Sequence, residues 1–268
     1  MKIWSVANQK GGVGKTTSVV SLGGLLARRG HRTLLLDMDP HGSMSSYFGL
    51  DPDQTDASLY RLFQIKQSKL TTPPQQLIHK TRFDNLSLLP ASTALATLDR
   101  QLSTSDGMGL VVKHALDLLS AEYDFVLIDC PPLLGVLMVN ALAACEHLVI
   151  PVQTEFLAVK GLERMVQTLS MIGRAKHHVP EYTILPTMFD RRTRASISTL
   201  RHLKDRYASC LWRSVIPVDT EFREASRTGV PLPIRSPKDR GSLAYEELLN
   251  DLLVPVAQGH VSVVAGVS

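Results

Sequence analysis

An eight-residue stretch near the start of the chain carries lysines, threonines and glycines in an order that can hold phosphate. Residues 10–17 read Lys-Gly-Gly-Val-Gly-Lys-Thr-Thr. Glycines allow backbone N–H groups to turn inward and surround phosphate oxygens. A lysine at the place of Lys15 can reach the outer phosphates of a nucleotide, and a hydroxyl at the place of Thr16 can bind Mg²⁺. The stretch therefore predicts a phosphate-binding loop that works with magnesium.

The segments on either side of this loop support that interpretation over a chance glycine turn with surface lysines. Residues 3–7 form an apolar run that indicates a buried strand, and Val19, Leu22 and Leu26 recur at helical spacing. The positive end of the helix dipole would face the same anion. The residues predicted to contact the nucleotide at this loop are Gly11, Gly12, Val13, Gly14, Lys15, Thr16 and Thr17.

Three aspartates at the ends of two further apolar strands could complete the site. The strand at 33–37 ends in Asp37, with Asp39 two residues on, and the strand at 124–129 ends in Asp129. If the strand at 33–37 is a parallel neighbour of the first strand, its carboxylates come near the phosphates. Such carboxylates can hold Mg²⁺ and orient an attacking water. Acidic residues in ordinary turns are the alternative.

Strand and helix patterns alternate along the whole chain, which predicts an α/β fold. Near-continuous apolar strands separated by helices indicate a mostly parallel, twisted sheet with helices on both faces, as in P-loop NTPases. Helical patterns centre on residues 111–119, 162–172 and 245–252. The predicted strands are 2–7, 33–37, 86–89, 124–129, 146–152, 182–187 and 211–216.

Length and composition predict one large globular domain. The chain has 268 residues, of which 44% are apolar, enough for a substantial core. We expect residues 1–255 to form a single domain, residues 51–80 to be a helix and loop within it, and residues 256–268 to be a short C-terminal tail. The net charge of +4 permits binding to an acidic polymer without requiring it.

Cysteine spacing and hydropathy limit where the protein works. Cys130, Cys145 and Cys210 lack the paired spacing of metal or redox sites, so we expect reduced, buried thiols. No apolar run is long enough to span a bilayer, and no signal peptide precedes the first strand. These features predict a cytoplasmic protein without membrane insertion.

The phosphate loop resembles the deviant Walker A loop of the ParA/MinD family of ATPases. Gln9 stands where a glycine is usual in other phosphate loops, and Lys10 adds a second lysine. Residues 37–42 resemble the family's D-x-D-P-Q-G segment, with His41 where glutamine is usual. Residues 129–132, Asp-Cys-Pro-Pro, resemble its D-x-P-P segment.

Two later segments resemble the parts of this family that enclose the nucleotide base. Residues 185–193 resemble a T-M-Y-D-x-R-T segment, and residues 216–225 resemble I-P-R-N-V-R-L-S-E-A. The resemblance implies that Met188, Phe189 and Pro217 bind the adenine. With these segments, the likeness extends from residue 1 to about residue 253.

The resemblance also implies how the reaction proceeds. The cofactors would be ATP and Mg²⁺, with Thr16, Asp37 and Asp129 at the metal and with Lys10, Lys15 and Asp39 as catalytic residues. Asp39 would be needed for hydrolysis, and Lys10 would cross into the partner subunit of an ATP-dependent homodimer. Turnover would be slow until a polar anchor or a ParB-like protein stimulates it.

The cargo is the most open question in the sequence. Residues 42–49 and 151–163 look most like ParC-type members that place chemotaxis arrays at the cell pole, so chemotaxis array proteins are possible partners. Chromosome or plasmid partition, with non-specific DNA binding, is the alternative. Residues 190–240 are rich in arginine, but Val218 and Glu221 stand where partition members carry arginines, so only weak DNA binding is expected.

Three other classes fit the sequence less well. A metabolic P-loop enzyme would need a substrate motif, which we do not find. An iron–sulfur relative would need paired cysteines. A membrane-bound division regulator would need a basic amphipathic helix at its C-terminus, and residues 258–268 contain neither lysine nor arginine.

Overall fold

A seven-stranded sheet forms the centre of the computed structural model, which describes residues 1–68, 73–101, 108–176 and 180–254. The predicted tail at 256–268 lies outside the described residues. The strands are β1 Lys2–Val6, β2 Thr33–Asp37, β3 His79–Lys80, β4 Leu86–Leu89, β5 Phe125–Asp129, β6 His147–Gln153 and β7 Glu181–Thr187. Their order across the sheet is β3-β4-β2-β5-β1-β6-β7, and all neighbours are parallel except β3 with β4.

Helices connect these strands and cover both faces of the sheet. Two short 3₁₀ turns, Pro74–Leu77 and Met108–Leu110, supplement them. The helices are α1 Lys15–Arg28, α2 Ser43–Tyr47, α3 Leu59–Ser68, α4 Leu95–Gln101, α5 Val111–Leu118, α6 Val136–Ala144, α7 Phe156–Lys176, α8 Arg194–Tyr207, α9 Glu221–Thr228, α10 Leu232–Arg235 and α11 Arg240–Leu253.

The alternation of side chains along buried strands gives the sheet its two hydrophobic layers. Leu35 of β2 and Leu127 of β5 face the layer formed by α1 and α11. Leu34 and Leu36, one residue away on β2, face the layer formed by α5, α6 and α7. The predicted parallel α/β sheet with helices on both faces is therefore confirmed.

Close packing of α1 on the sheet depends on a glycine in the middle of the helix. A Cβ atom at Gly23 would lie 2.5 Å from Leu35 Cδ2 of β2. Because α1 follows the phosphate loop directly, this close contact fixes the start of the helix relative to the strand ends. The glycine costs some helix propensity, and the packing it permits offsets that cost.

The fold differs from the sequence expectations at four places. Residues 211–216 are not a strand: they contribute one bridge, between Leu211 and Ile184, because the backbone turns away after one residue. The segment 51–80 contains α3, a 3₁₀ turn and the unexpected edge strand β3. The helical pattern over residues 111–119 included both Leu118 and Leu119 as apolar positions, but Leu118 is 67% exposed while Leu119 is buried.

The fourth difference concerns the strand that carries Asp37. We expected β2 beside β1, but β5 lies between them. All five residues of β5 are buried, which suits the centre of a sheet covered on both faces. The aspartates of β2 and β5 still meet, because the two strands pair with Asp37 opposite Asp129.

Candidate nucleotide-binding site

The glycine loop between β1 and α1 has a backbone that only glycine adopts easily. Gly12 has a φ of 74° and Gly14 a φ of 92°, both in the left-handed region. Gly14 is the N-cap of α1 and offers no side-chain acceptor, so it leaves the first backbone N–H groups of the helix uncapped. A Cβ atom at Gly11, Gly12 or Gly14 would meet nothing within 4 Å. The loop therefore borders open space that an anion can enter.

The two polar residues after the loop point into the site. Lys15 is only 7% exposed, and its Nζ donates to the backbone oxygen of Lys10 at 3.3 Å, across the loop. The Thr16 hydroxyl donates to Asp129 Oδ2 at 2.6 Å. This second bond joins the start of α1 to the end of β5 and places a hydroxyl next to a carboxylate.

Asp129 is buried with part of its hydrogen-bonding capacity unused. Its Oδ1 is buried and lacks a hydrogen-bond partner among the described residues. Burial raises the pKa of Asp129 well above its usual range, and the neighbouring charge of Asp37 raises it further. Thr16 and Lys15 oppose these effects. A cation at this carboxylate would remove the cost of its buried charge.

Asp37 is buried beside Asp129 and is held by the start of α2. Its Oδ2 accepts hydrogen bonds from the backbone N–H and the hydroxyl of Ser45, each at 2.7 Å, and its Oδ1 accepts one from the Asp39 N–H at 3.2 Å. Burial raises the pKa of Asp37 to about 6. Direct binding of a metal by Asp37 would compete with these bonds. Sequence reasoning missed Ser45, because no motif links it to Asp37.

The residues at this edge fit a magnesium ion. Mg²⁺ takes oxygen ligands and is commonly held by one or two carboxylates together with substrate phosphates. Thr16 supplies a hydroxyl, and Asp129 supplies a carboxylate oxygen without a partner. Among the described residues there is no group of three or more histidine, cysteine, aspartate or glutamate side chains that could hold a metal ion by itself.

Asp39 lies in the loop that follows β2, at the same edge of the sheet. Its Oδ1 accepts hydrogen bonds from the backbone N–H of His41 at 3.1 Å and from the His41 ring Nδ1 at 2.9 Å. The Asp39 side chain is 16% exposed, so it reaches the open space at the strand ends. The structure thus places Asp37, Asp39 and Asp129 together.

Lys10 is held within its own chain. Its Nζ forms an ion pair with Glu155, in the loop between β6 and α7. Its backbone N–H donates to Asn8 Oδ1 at 3.0 Å, and Asn8 in turn donates to the backbone oxygen of Pro151 at 2.8 Å. Gly161 of α7 packs against Lys10, with room for little more than a hydrogen atom. Sequence reasoning missed Glu155, which lies 145 residues from its partner.

The residues predicted to bind the base lie at the ends of the β7 and 211–217 segments. Phe189 pairs with Pro217 in a short bridge, and Met188 has a positive φ of 51°. The Thr187 hydroxyl donates to the backbone oxygen of Val13, which ties this region to the phosphate loop. Met188 does not line the adjacent cavity of about 310 Å³. Its lining residues are Phe189, Asp190, Arg191, Arg192, Pro217, Val218 and Arg240.

Four large apolar side chains are exposed beside the phosphate loop. Leu133 and Leu134 follow β5, and Phe156 and Leu157 begin α7 after β6. Leu133, Phe156 and Leu157 are each at least two-thirds exposed. Because β5 and β6 flank β1, these residues border the loop on both sides at the carboxyl edge of the sheet.

The arginine-rich segment is partly neutralised by its own carboxylates. Arg192 pairs with Asp190 at 2.8 Å, Arg206 with Glu163 at 2.9 Å, and Glu221 with Arg235. Among the described residues, Arg194 and Arg201 are exposed arginines of α8 without an ion-pair partner. Arg191 before α8 and Arg223 of α9 are likewise exposed, so part of the positive charge of this segment remains uncompensated.

A glycine loop between a central parallel strand and a helix, with a buried carboxylate on the next strand, defines a P-loop nucleoside triphosphatase. A family model described as an AAA domain matches residues 1–179. The sporulation initiation inhibitor protein Soj of Bacillus subtilis is 34% identical, over 94% of this chain and 98% of Soj. The chromosome partitioning protein ParA of Myxococcus xanthus is 32% identical, over 94% of this chain and 88% of that protein.

A solved structure supports the same relationship. The cobyrinic acid a,c-diamide synthase from Mycobacterium smegmatis, with bound ADP and magnesium, is 33% identical, covers 94% of each chain and has a TM-score of 0.80. The present chain belongs to the ParA/MinD family of P-loop ATPases. None of the helices in the described residues combines the length and the hydropathy that crossing a bilayer requires.

Proposed function

We propose that this chain binds ATP with Mg²⁺, forms a homodimer around the nucleotide, and hydrolyses it slowly to drive the positioning of a large cargo in the cytoplasm. One observation carries the proposal: the open glycine loop lies beside Thr16 and the unpartnered oxygen of Asp129. Relatives solved with ADP or an ATP analogue and magnesium support the choice of ligands. Residues 1–255 would act as one ATPase domain.

Each side chain at the sheet edge has a separate task in this proposal. Bound Mg²⁺ would neutralise charge on the phosphates. Thr16 and Asp129 would hold the ion, and Asp37 would act on its water ligands, since both Asp37 oxygens already accept hydrogen bonds. Lys15 would bind the outer phosphates, and Asp39 would orient the attacking water. Phe189 and Pro217 would contact the base.

The dimer would form through the edge that carries the phosphate loop. Interface centres are enriched in large apolar residues, and Leu133, Leu134, Phe156 and Leu157 are exposed on both sides of the loop. In this arrangement Lys10 leaves Glu155 and reaches the nucleotide of the partner subunit. The negative charge of the nucleotide bound to the partner subunit would then replace Glu155, which pairs with Lys10 in a single chain.

Substitution of Gly11 by valine is expected to separate nucleotide binding from dimerisation. A Cβ atom at Gly11 meets nothing within 4 Å in one chain, and φ at Gly11 is not positive, so the monomer can accept the side chain. In a dimer that packs two loops face to face, the added bulk would meet the partner. We expect calorimetry to show ATP binding and light scattering to show a monomer.

The matched control for this variant is Ala121→Val. Ala121 is exposed before β5, at the opposite edge of the sheet, where the same bulk should leave dimerisation unchanged. A Gly11→Val protein that dimerises like the unmodified chain would show that the loops do not meet, and the proposed arrangement of subunits would be wrong.

Two kinds of cargo have support. Relatives named for chromosome partitioning, together with the exposed arginines of α8, favour chromosome or plasmid DNA complexes. The residues that resemble ParC-type proteins favour polar placement of chemotaxis arrays, and Glu221 and Val218 weaken the DNA surface. A polar anchor or a ParB-like protein would then stimulate hydrolysis.

DNA affinity distinguishes these cargoes, and Glu221→Arg should raise it. Glu221 begins α9 and pairs with Arg235, so arginine there adds a positive charge and also releases Arg235. Each added phosphate contact should steepen the salt dependence by about 0.9 in the log–log slope. Anisotropy titrations of the ATP-bound protein on one random duplex, at several salt concentrations, measure both quantities.

Glu221→Gln serves as the control because it removes the ion pair without adding a cation. It should give a smaller gain than arginine. Tight, strongly salt-dependent binding by the unmodified protein would favour DNA as the cargo surface. If neither variant changes the affinity, residue 221 lies away from any DNA-binding face.

A further inference from the structure

His41 contacts the carboxylate that is proposed to orient the attacking water, and it stands where relatives of this chain are expected to carry glutamine. Its backbone N–H and its ring Nδ1 both approach Asp39 Oδ1, at 3.1 Å and 2.9 Å. The two contacts come from one residue in a tight turn, so together they restrict rotation of the Asp39 side chain. The function described so far does not account for this imidazole.

The two side-chain oxygens of Asp39 differ in their hydrogen bonds. Oδ1 accepts both bonds from His41, while Oδ2 has no hydrogen-bond donor among the described residues. The Asp39 backbone N–H is itself fixed by Asp37 Oδ1 at 3.2 Å. Asp39 is therefore held at its main chain and at one oxygen, and the second oxygen is available to a water.

The surroundings of His41 are acidic. Its ring is 81% exposed and touches only Asp39 among the described charged groups. Asp37 lies behind Asp39, and the 51–53 turn packs against the adjoining Gly42 through Pro52. That turn carries Asp51 and Asp53. The Asp51 side chain accepts hydrogen bonds from the Asp53 backbone N–H and from the Gln54 side-chain amide. Asp39 is therefore the carboxylate in contact with the imidazole.

We propose that His41 is a positioning residue for hydrolysis: its Nδ1–H holds Asp39 Oδ1, so that Oδ2 faces the attacking water. This inference rests on the proposed role of Asp39. A neutral imidazole must keep its proton on Nδ1 to make the bond, and the exposed Nε2 is then the unprotonated nitrogen. Protonation of the ring would place a cation on Asp39 and weaken that carboxylate as a hydrogen-bond acceptor.

The pair can be observed without nucleotide by long-range ¹H–¹⁵N correlation NMR of the intact chain. The His41 signals are identified by their loss in His41→Asn. We expect the Nδ1–H tautomer at pH 8 in the unmodified protein. We also expect the preference for the Nδ1–H tautomer to weaken in Asp39→Ala, because that change removes the oxygen that accepts the bond. An Nε2–H tautomer in the unmodified protein, or a tautomer ratio that does not respond to Asp39→Ala, would overturn the proposal.

Steady-state ATP hydrolysis then tests whether the hydrogen bond between His41 and Asp39 contributes to the rate of the reaction. His41→Ala should lower kcat about fivefold, the effect of one hydrogen bond, with little change in KM. Asparagine can place its side-chain N–H where the ring Nδ1 lies, so His41→Asn should recover most of kcat.

The outcomes separate this inference from the proposed function. If Asp39→Ala is inactive but His41→Ala is as active as the unmodified chain, the positioning role is wrong and the proposed function stands. The role is also wrong if His41→Asn is no better than His41→Ala. If Asp39→Ala hydrolyses ATP normally, the roles proposed for Asp39 and His41 are both wrong, whereas loss of ATP hydrolysis from the unmodified chain would reject the proposed function itself.

Discussion

Replacement of Lys15 by alanine is expected to abolish tight nucleotide binding, with a loss in affinity for Mg·ATP of about 100-fold. Lys15 is almost fully buried, and its ammonium group lies across the glycine loop, where its one hydrogen-bond partner among the described residues is a backbone oxygen. A phosphate at that place would gain a charge-assisted hydrogen bond, and alanine leaves the phosphate charge without a partner. Calorimetric titration with Mg·ATP measures the effect.

Lys10→Ala is the matched control for this experiment. It removes the other lysine of the loop, but that lysine is paired with Glu155 in its own chain. Binding of ATP to a single chain should therefore remain close to that of the unmodified protein. An Lys15→Ala protein with unchanged affinity would mean that the loop is not the phosphate site.

Replacement of Asp39 by alanine is expected to stop turnover while leaving nucleotide binding intact. A carboxylate that orients or deprotonates water contributes on the order of 100-fold or more to the rate. In the proposed site, Thr16, Lys15 and Asp129 would make the phosphate and metal contacts without Asp39, so ATP binding should be unaffected. Phosphate release under saturating Mg·ATP gives the rate. Asp53→Ala, an exposed carboxylate further along the same segment, should hydrolyse ATP at the normal rate.

Short-range features of the site could be predicted from the sequence because they lie within one strand, loop and helix. The glycines of residues 11–14 and the Lys15-Thr16 pair identify the loop without any knowledge of the fold. The aspartates at strand ends were also identifiable, since parallel strands bring their carboxyl ends to one edge. The structure places Asp37 and Asp129 in register, as their shared position at strand ends implied.

Features that depend on distant parts of the chain could not be predicted in this way. The insertion of β5 between β1 and β2 could not be read from burial, because β2 and β5 have similar apolar runs and are both buried along their whole length. The Lys10–Glu155 pair joins residues far apart in the chain. Residues 211–216 have the composition of a strand, but their backbone makes only one bridge to β7.

The most direct test of the account is the mass of the Asp39→Ala protein in solution, measured by multi-angle light scattering with Mg·ATP and, separately, with Mg·ADP. The account predicts twice the 29.5 kDa of one chain with ATP and a single chain with ADP, because slow hydrolysis would leave the ATP dimer intact. A single chain under both conditions, or a dimer that forms regardless of nucleotide, would contradict it.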